Sequence, residues 1–136
     1  PACLKLELTE SMLVTEVSET AEKMRALKAL GVRFSLDDFG TGYSSLSILQ
    51  QLPLDQLKID QSFVHRIGTS QPDGDSAIIQ SIITLGKNLH MRVIAEGIET
   101  SAQQEKLRSL GCDEFQGFLH GSSVPADQAR LLMQPA

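Results

Sequence analysis

The chain has 136 residues, with 12 Lys and Arg against 17 Asp and Glu, and a formal net charge of −5. This length suits one domain, and 41% hydrophobic with 21% charged residues is typical of a globular fold. The acidic balance argues against a nucleic-acid-binding surface, which is normally basic. The apolar runs are too short to cross a membrane. A phosphate ligand would need positive charge from elsewhere, which a metal ion would supply.

Strand-like runs alternate with helical runs along the chain. The strands are predicted over residues 4–8, 32–36, 56–59, 92–95 and 114–117. The helices are predicted over residues 18–30, 46–51, from 76 through the late eighties, 101–110 and 125–133. Residues 71–75 are expected to form a loop, Ser76 to cap the third helix, and Thr100 or Ser101 to cap the fourth.

Each crossover between strands contains a helix, and no hairpin turn joins them. This pattern predicts a parallel α/β sheet built of five βα units. Five units fit either an open doubly wound sheet or part of a closed eight-stranded barrel. No dinucleotide-binding glycine fingerprint follows the first strand, which weakens the nucleotide-binding version of the open sheet.

Two cysteines, Cys3 and Cys112, are too few for a disulfide framework. With no signal peptide in view, they favour a reducing, cytoplasmic compartment. Cys112 follows Gly111 at a turn, where we expect a small buried residue. A strand-like run begins almost at Pro1, so we expect the chain to be part of a longer protein.

Charged and amide side chains recur at the C-terminal end of every predicted strand. They are Glu7 and Glu10, Asp37 and Asp38, Lys58 and Asp60, Glu96 and Glu99, and Gln116. Parallel α/β folds place all such ends on one face, where active sites form. We therefore expect these residues to share a site.

The carboxylates of that set predict a hard-metal site. Ligands rich in oxygen and poor in thiol and histidine suit Mg²⁺ or Mn²⁺ rather than Zn²⁺. Two such ions would clamp a phosphodiester for in-line attack by water, and Lys58 would add positive charge. Asp37 and Asp38 cannot point the same way along a regular strand, but at a strand end one can bend to bridge two cations.

Several motifs resemble the EAL-domain cyclic di-GMP phosphodiesterases in order and approximate spacing. The matching segments are residues 7–11 (ELTES), 37–45 (DDFGTGYSS), 57–60 (LKID), 95–100 (AEGIET) and 116–117 (QG). The resemblance runs from Leu4 to about Leu132, and its longest segment, 37–45, is also its most specific. It implies a (β/α)₈ barrel in which residues 1–136, as a partial domain, supply about the fourth to eighth units.

The resemblance also implies hydrolysis of cyclic di-GMP to linear pGpG, assisted by Mg²⁺ or Mn²⁺. By motif, Glu7 and Asp37 would be direct metal ligands, and Asp38 would bind the second metal. Lys58 would contact the attacking water or the phosphate. Glu96 would lie beside the metals, as general base or outer ligand.

The remaining implied site residues line the site or stabilise a loop. They are Gln116, as a lining residue, and Glu10, Glu99, Thr41 and Gly42, as residues that steady or form the loop of residues 39–45. In the family that loop also links the metal site to dimerisation. Asp60 receives no settled role.

The sequence departs from the family pattern in two places. The Glu-Ala-Leu signature, its arginine and a metal-binding Asn are absent, and they belong to earlier strands. After Gln116-Gly117, the segment 118–125 lacks the usual basic residue. We therefore expect the chain by itself to be inactive and to form a homodimer or a domain-swapped assembly. An open half-barrel would expose side chains that we expect to point inward, namely Leu6, Leu8, Phe34 and Ile59.

Two other functions fit parts of the pattern. One is a non-catalytic cyclic di-GMP receptor or interaction module, which keeps the shape of the site without turnover. The other is a phosphoacceptor receiver domain, which also uses paired acids and a strand-end lysine. In a receiver the acid pair ends the first strand, whereas here it ends the second, and Glu7 and Glu96 would have no role.

Overall fold

The protein is a five-stranded parallel sheet whose strands follow one another in chain order within the described residues. The structure, a computed structural model, describes residues 2–13, 16–42, 45–68 and 72–134, without the side chains of 72–75. The strands are β1 Lys5–Thr9, β2 Arg33–Phe39, β3 Gln56–Ile59, β4 Arg92–Ala95 and β5 Glu114–Phe115. The predicted parallel α/β fold is confirmed.

Helices occupy every crossover of the sheet. They are α1 Val17–Ala29, α2 Leu46–Gln51, α3 Gln61–His65, α4 Pro72–Asn88, α5 Ser101–Ser109 and α6 Ala126–Leu132, with a 3₁₀ turn at Glu10–Leu13 after β1. Thr100, one of the two residues predicted to cap this helix, caps α5 in a capping box with Gln103. No helix in the described part of the chain is long and apolar enough to cross a membrane.

Between β3 and β4, the predicted start of one helix was wrong and a second helix was not predicted. Gln71, the first residue of the predicted loop, lies outside the described residues. Helix α4 begins at Pro72, so Ser76 lies inside it and residues 72–75 are not a loop. Proline suits the first turn of a helix because its missing N–H has no partner there. Helix α3 was not predicted, although Asp60 caps it by accepting a hydrogen bond from Ser62 N at 2.9 Å.

Most apolar side chains of the strands lie on the face of the sheet that the helices cover, and Ile94 of β4 is an exception. Phe34 is 2% exposed and Ile59 is 0% exposed, both within the hydrophobic core. Leu6 and Leu8 pair with Phe34 and Leu36, so they belong to the same face. The expectation that these side chains point into an open barrel was therefore wrong. Cys112 is buried as predicted, and burial raises the pKa of its thiol to about 11.

The opposite face of the sheet is polar and hydrogen-bonded across strands. Gln56 is 3% exposed, and its Oε1 accepts from Lys5 Nζ at 2.9 Å and from Ser35 Oγ at 3.2 Å. Its Nε2 donates to Glu114 Oε2 at 2.7 Å, and Arg92 Nη1 donates to Glu114 Oε1 at 2.9 Å. One amide on β3 thus ties β1, β2 and β5 together.

We expect Gln56→Leu to lower the free energy of unfolding by about 1–3 kcal/mol, because buried Ser35 and half-buried Glu114 lose their hydrogen bonds to the amide. Urea unfolding followed by circular dichroism would measure this. Gln50→Leu, on the exposed side of α2, is the matched control and should change stability little. Equal effects of the two substitutions would contradict the role given to Gln56.

Asp55 joins helix α1 to the start of the sheet. Its Oδ1 accepts from Lys28 Nζ at 2.7 Å and its Oδ2 accepts from Phe34 N at 2.9 Å. Burial works against the charged form of Asp55, but these hydrogen bonds outweigh it and lower its pKa. Because the pKa of Asp55 is lower in the folded state than in the unfolded state, its carboxylate stabilises the fold at pH values above the unfolded-state pKa. This stabilisation is lost as the pH falls toward the folded-state pKa.

The stability difference between the native chain and Asp55→Asn should be full at neutral pH and shrink below about pH 4, near the ordinary Asp pKa. Urea unfolding at several pH values would test this, with Asp127→Asn on exposed α6 as control. A difference that stays constant across the pH range would contradict it.

Candidate active site

The site is built around the ammonium group of Lys58 at the C-terminal ends of the strands. Lys58 Nζ lies 2.6 Å from Glu96 Oε1, 2.9 Å from Glu7 Oε1 and 3.5 Å from Asp37 Oδ1. The Lys58 side chain is only 5% exposed. Carboxylates from the ends of β1, β2 and β4 therefore converge on one cation from β3.

Strand alternation explains why these four side chains meet. Glu7 pairs with Ser35 and Lys58 pairs with Ile94, two residues before Glu96. Side chains two apart share a face, so Lys58 lies on the same polar face as Gln56, and Glu96 follows Ile94 on it. The cluster around Lys58 therefore lies on the same face as the hydrogen bonds of Gln56, two residues further along the strands.

The charges of this cluster shift the pKa of two of its members. Burial would lower the pKa of Lys58, but hydrogen bonds to Glu96 and Glu7 and the charge of Asp37 outweigh it and raise the pKa. Burial raises the pKa of Glu96, and the charges of Asp37 and Glu7 add to the rise while Lys58 opposes it. Lys58 therefore stays protonated, and Glu96 accepts a proton more readily than an ordinary glutamate.

A bulge at the end of β2 lets both acids of the Asp37-Asp38 pair serve the site. The pairing of β2 with β3 shifts between Leu36 and Phe39, so that one extra residue is inserted. Asp38 has a φ of 55°, an unusual value for a residue other than glycine. The bulge keeps Phe39 opposite Ile59 while Asp37 reaches Lys58.

Asp38 and Asp60 lie together at the edge of the cluster. The two carboxyl groups are hydrogen-bonded. Burial raises the pKa of Asp38, and the charges of Asp37 and Asp60 raise it further. Burial works against the charged form of Asp60, but its hydrogen bonds to Ser62 and Asp38 lower its pKa. Asp60 therefore caps α3 and contacts the acid pair at once.

The loop after β2 is held by a buried carboxylate. Glu10 is buried, and its Oε2 accepts from Gly42 N at 2.9 Å. A Cβ at Gly42 would lie 2.9 Å from that oxygen, so a larger residue there would displace the Glu10 carboxylate. Thr41 Oγ1 donates to Asp38 O at 2.6 Å, which ties the loop to the bulge. Tyr43 and Ser44, also in the resemblance, lie outside the described residues.

Glu99 and Gln116 lie on the other side of the site. Glu99 Oε1 lies 3.5 Å from His65 Nε2, on α3 rather than on the loop after β2. Gln116 lines a cleft of about 600 Å³, together with Glu96, Glu99 and the segment 120–123. Its backbone continues the sheet, because Gln116 N donates to Ala95 O at 2.9 Å.

Two residues that shape the site were missed from the sequence. Gln56 lies two residues before Lys58, and the alternation of a strand could have identified it. Gly117 packs directly against the backbone of Ile98, where a Cβ would overlap the N and O atoms of Ile98. Its only signal was its place in the Gln116-Gly117 motif.

We expect Gly117→Ala to separate this turn from Ile98, because backbone atoms cannot make room for a Cβ. The hydrogen bonds from Ile98 N to Gln116 O (3.1 Å) and from Leu119 N to Ile98 O (2.9 Å) should weaken. Hydrogen exchange at the Ile98 and Leu119 amides should become faster, and Ser122→Ala on the exposed rim should leave it unchanged. Unchanged exchange in Gly117→Ala would contradict the close packing.

Comparisons with known proteins agree with these features. The sequence matches the model of the EAL domain family over residues 1–123. MucR of Pseudomonas aeruginosa, named a bifunctional diguanylate cyclase/cyclic di-GMP phosphodiesterase, is 45% identical over 128 residues, 94% of this chain and 18% of MucR.

Solved structures share the fold. A PaMucR phosphodiesterase complex with cyclic di-GMP superimposes with a TM-score of 0.87 at 45% identity, covering 95% of this chain and 51% of that one. Klebsiella pneumoniae BlrP1, a complex with manganese and cyclic di-GMP, gives 0.78 at 34% identity, covering 88% and 30%. The chain therefore spans about half of the solved MucR chain and a smaller share of the curated relative.

Proposed function

Because the chain belongs to the EAL domain family, we propose that it supplies the C-terminal part of a metal-dependent phosphodiesterase domain that hydrolyses cyclic di-GMP to pGpG. The observation that carries this proposal is the convergence of Glu7, Asp37 and Glu96 on Lys58. A solvated rim would not bury a lysine among three carboxylates. The cyclic di-GMP complexes of MucR and BlrP1 support the choice of substrate.

The donor atoms of the site have the chemistry that a hard divalent cation prefers, although no three of these side chains among the described residues are already placed to hold an ion. Glu7, Asp37, Asp38 and Glu96 offer only carboxylate oxygens, and their charge exceeds that of Lys58. Glu7, Asp37 and Asp38 would hold Mg²⁺ or Mn²⁺. The chemistry that such an ion supplies when bound is Lewis acidity toward a phosphoryl oxygen and a lowered pKa for water.

The residues of the chain act on the proton and the phosphate. Water attacks phosphorus, and the bond to one ribose 3′ oxygen breaks. The proton released by the attacking water goes to the Glu96 carboxylate, and the leaving 3′ oxygen takes a proton from solvent. A raised pKa suits Glu96 to this step. The Lys58 ammonium stabilises the negative charge that builds up on the phosphate. Gln116 lines the same cleft as Glu96, where it would contact the substrate.

Glu10 acts on the site through the loop and the bulge. Its hydrogen bond from Gly42 N fixes the segment that follows Asp38. Thr41 connects this loop to Asp38, because its hydroxyl group donates a hydrogen bond to the Asp38 carbonyl oxygen. Glu10 therefore keeps the acid pair in a conformation that Asp38 would not adopt by itself.

The sheet needs further strands to become a closed barrel. Within the described residues β1 and β5 each have one neighbour, so each leaves an edge of backbone N–H and C=O groups. A second copy or the earlier strands of the domain would pair with these edges. The face of the sheet opposite the helices is polar, so it does not need to be buried by another apolar surface. The unpaired backbone groups of β1 and β5 are therefore what favours assembly.

We expect the 136-residue chain alone to be inactive. A fusion of the N-terminal half of the MucR EAL domain to this chain should hydrolyse cyclic di-GMP with Mg²⁺ or Mn²⁺, because it supplies the remaining strands. Product analysis by chromatography would measure this, with light scattering to give the assembly state. Turnover by the isolated chain as a monomer would contradict the proposal, and binding without turnover by the fusion would favour a receptor.

In that fusion, Asp37→Asn should lower kcat by at least about 100-fold, because a metal ligand loses its charge. Steady-state kinetics would measure it. Asp127→Asn in α6 is the control and should keep kcat within a factor of about two. Near-normal turnover by Asp37→Asn would exclude Asp37 as a ligand.

A further inference from the structure

The carboxylates of the site are arranged around an ammonium group and not around one another. Glu96 and Glu7 each direct one oxygen at Lys58 Nζ, at 2.6 and 2.9 Å. Among the described residues, no group of three Asp, Glu, His or Cys side chains is placed to hold a metal ion. The lysine therefore occupies the centre at which these acids meet.

We propose that Lys58 is an internal counter-ion that competes with the divalent cation for Glu7, Asp37 and Glu96 and thereby sets the metal affinity of the site. This inference rests on the metal site of the proposed function. It makes Lys58 a positioning residue in the metal-free protein, in addition to its contact with the phosphate.

The competition follows from charge and from geometry. Three carboxylates and one ammonium leave two negative charges at the cluster. A carboxylate oxygen that accepts a charge-assisted hydrogen bond from Lys58 must give it up to turn toward a metal ion. The ammonium also repels a divalent cation at close range, and its burial weakens the screening by water.

The contact of Lys58 with the three carboxylates would also stabilise the site before a metal ion binds. Without Lys58, three carboxylates would repel one another and move apart toward solvent. With it, the ligands stay together until a metal ion arrives. The ammonium that is then released lies next to the metal ligands, where a phosphate would bind.

The first test measures the binding of Mn²⁺ alone to the purified 136-residue chain by electron paramagnetic resonance. Lys58→Met should bind Mn²⁺ at least tenfold more tightly than the native chain, a difference of about 1.4 kcal/mol. Lys23→Met is the matched control, because it removes an exposed ammonium that is paired with Glu19. It should leave the affinity unchanged.

The second test uses the native chain, in case Lys58→Met does not fold. The rate at which each lysine reacts with an acetylating reagent would be followed by mass spectrometry, with and without saturating Mn²⁺. Lys58 is buried and ion-paired, so it should react slowly without metal and several-fold faster with it. Lys23 should react at the same rate in both conditions.

The outcomes separate this inference from the proposed function. Equal or weaker Mn²⁺ binding by a folded Lys58→Met, or Lys58 acetylation that metal does not accelerate, would overturn the competition and leave the phosphodiesterase proposal standing. If Mn²⁺ binds neither to the 136-residue chain nor to the fusion that supplies the earlier strands, with Lys58 or with Lys58→Met, both the inference and the metal site are overturned. Neither test requires turnover.

Discussion

The burial of one lysine ammonium among three carboxylates is the constraint on which the site depends. A buried charge costs several kcal/mol unless it is paired, so Lys58 requires Glu7, Asp37 and Glu96 to stay near it. Those acids come from different strands, and their positions require the strands to be in register. The Gln56 network fixes that register one step earlier along the sheet.

Polar and apolar side chains alternate along β2 and lie on opposite faces of the sheet. A bulge inserts one extra residue where this alternation would otherwise place Asp38 on the apolar face. Along β2, Phe34 and Leu36 face the helices while Ser35 and Asp37 face the polar side. A regular strand would place Asp38 back among the apolar side chains. The extra residue at the bulge avoids this and returns Phe39 to the core. The cost is a left-handed backbone at Asp38, which Thr41 and Gly42 help to hold.

The strands and the convergence of Glu7, Asp37 and Glu96 on Lys58 could be predicted because both depend on local pattern. Apolar runs bounded by acids mark the strand ends, and parallel crossovers place those ends on one edge. The orientation of Phe34 and Ile59 could not be predicted from apolar character alone, since either face of a barrel strand can be apolar. Polar Ser35 and Gln56 would have decided it, because helices cover the face opposite theirs. The contact of Glu99 with His65 depends on helix α3, which was too short to be recognised.

The rim of the cleft contains one position that cannot accept a side chain, because Gly117 packs against the backbone of Ile98. The residues that follow Gly117 are free of this restriction. No side chain fits at Gly117, whereas Phe118 is 73% exposed immediately after it. Substitutions at Phe118, His120, Ser122 or Ser123 would change the chemistry of the rim without moving the turn that holds it. Divergence of ligand preference among related sequences should therefore accumulate in this short stretch, beside a turn that stays fixed.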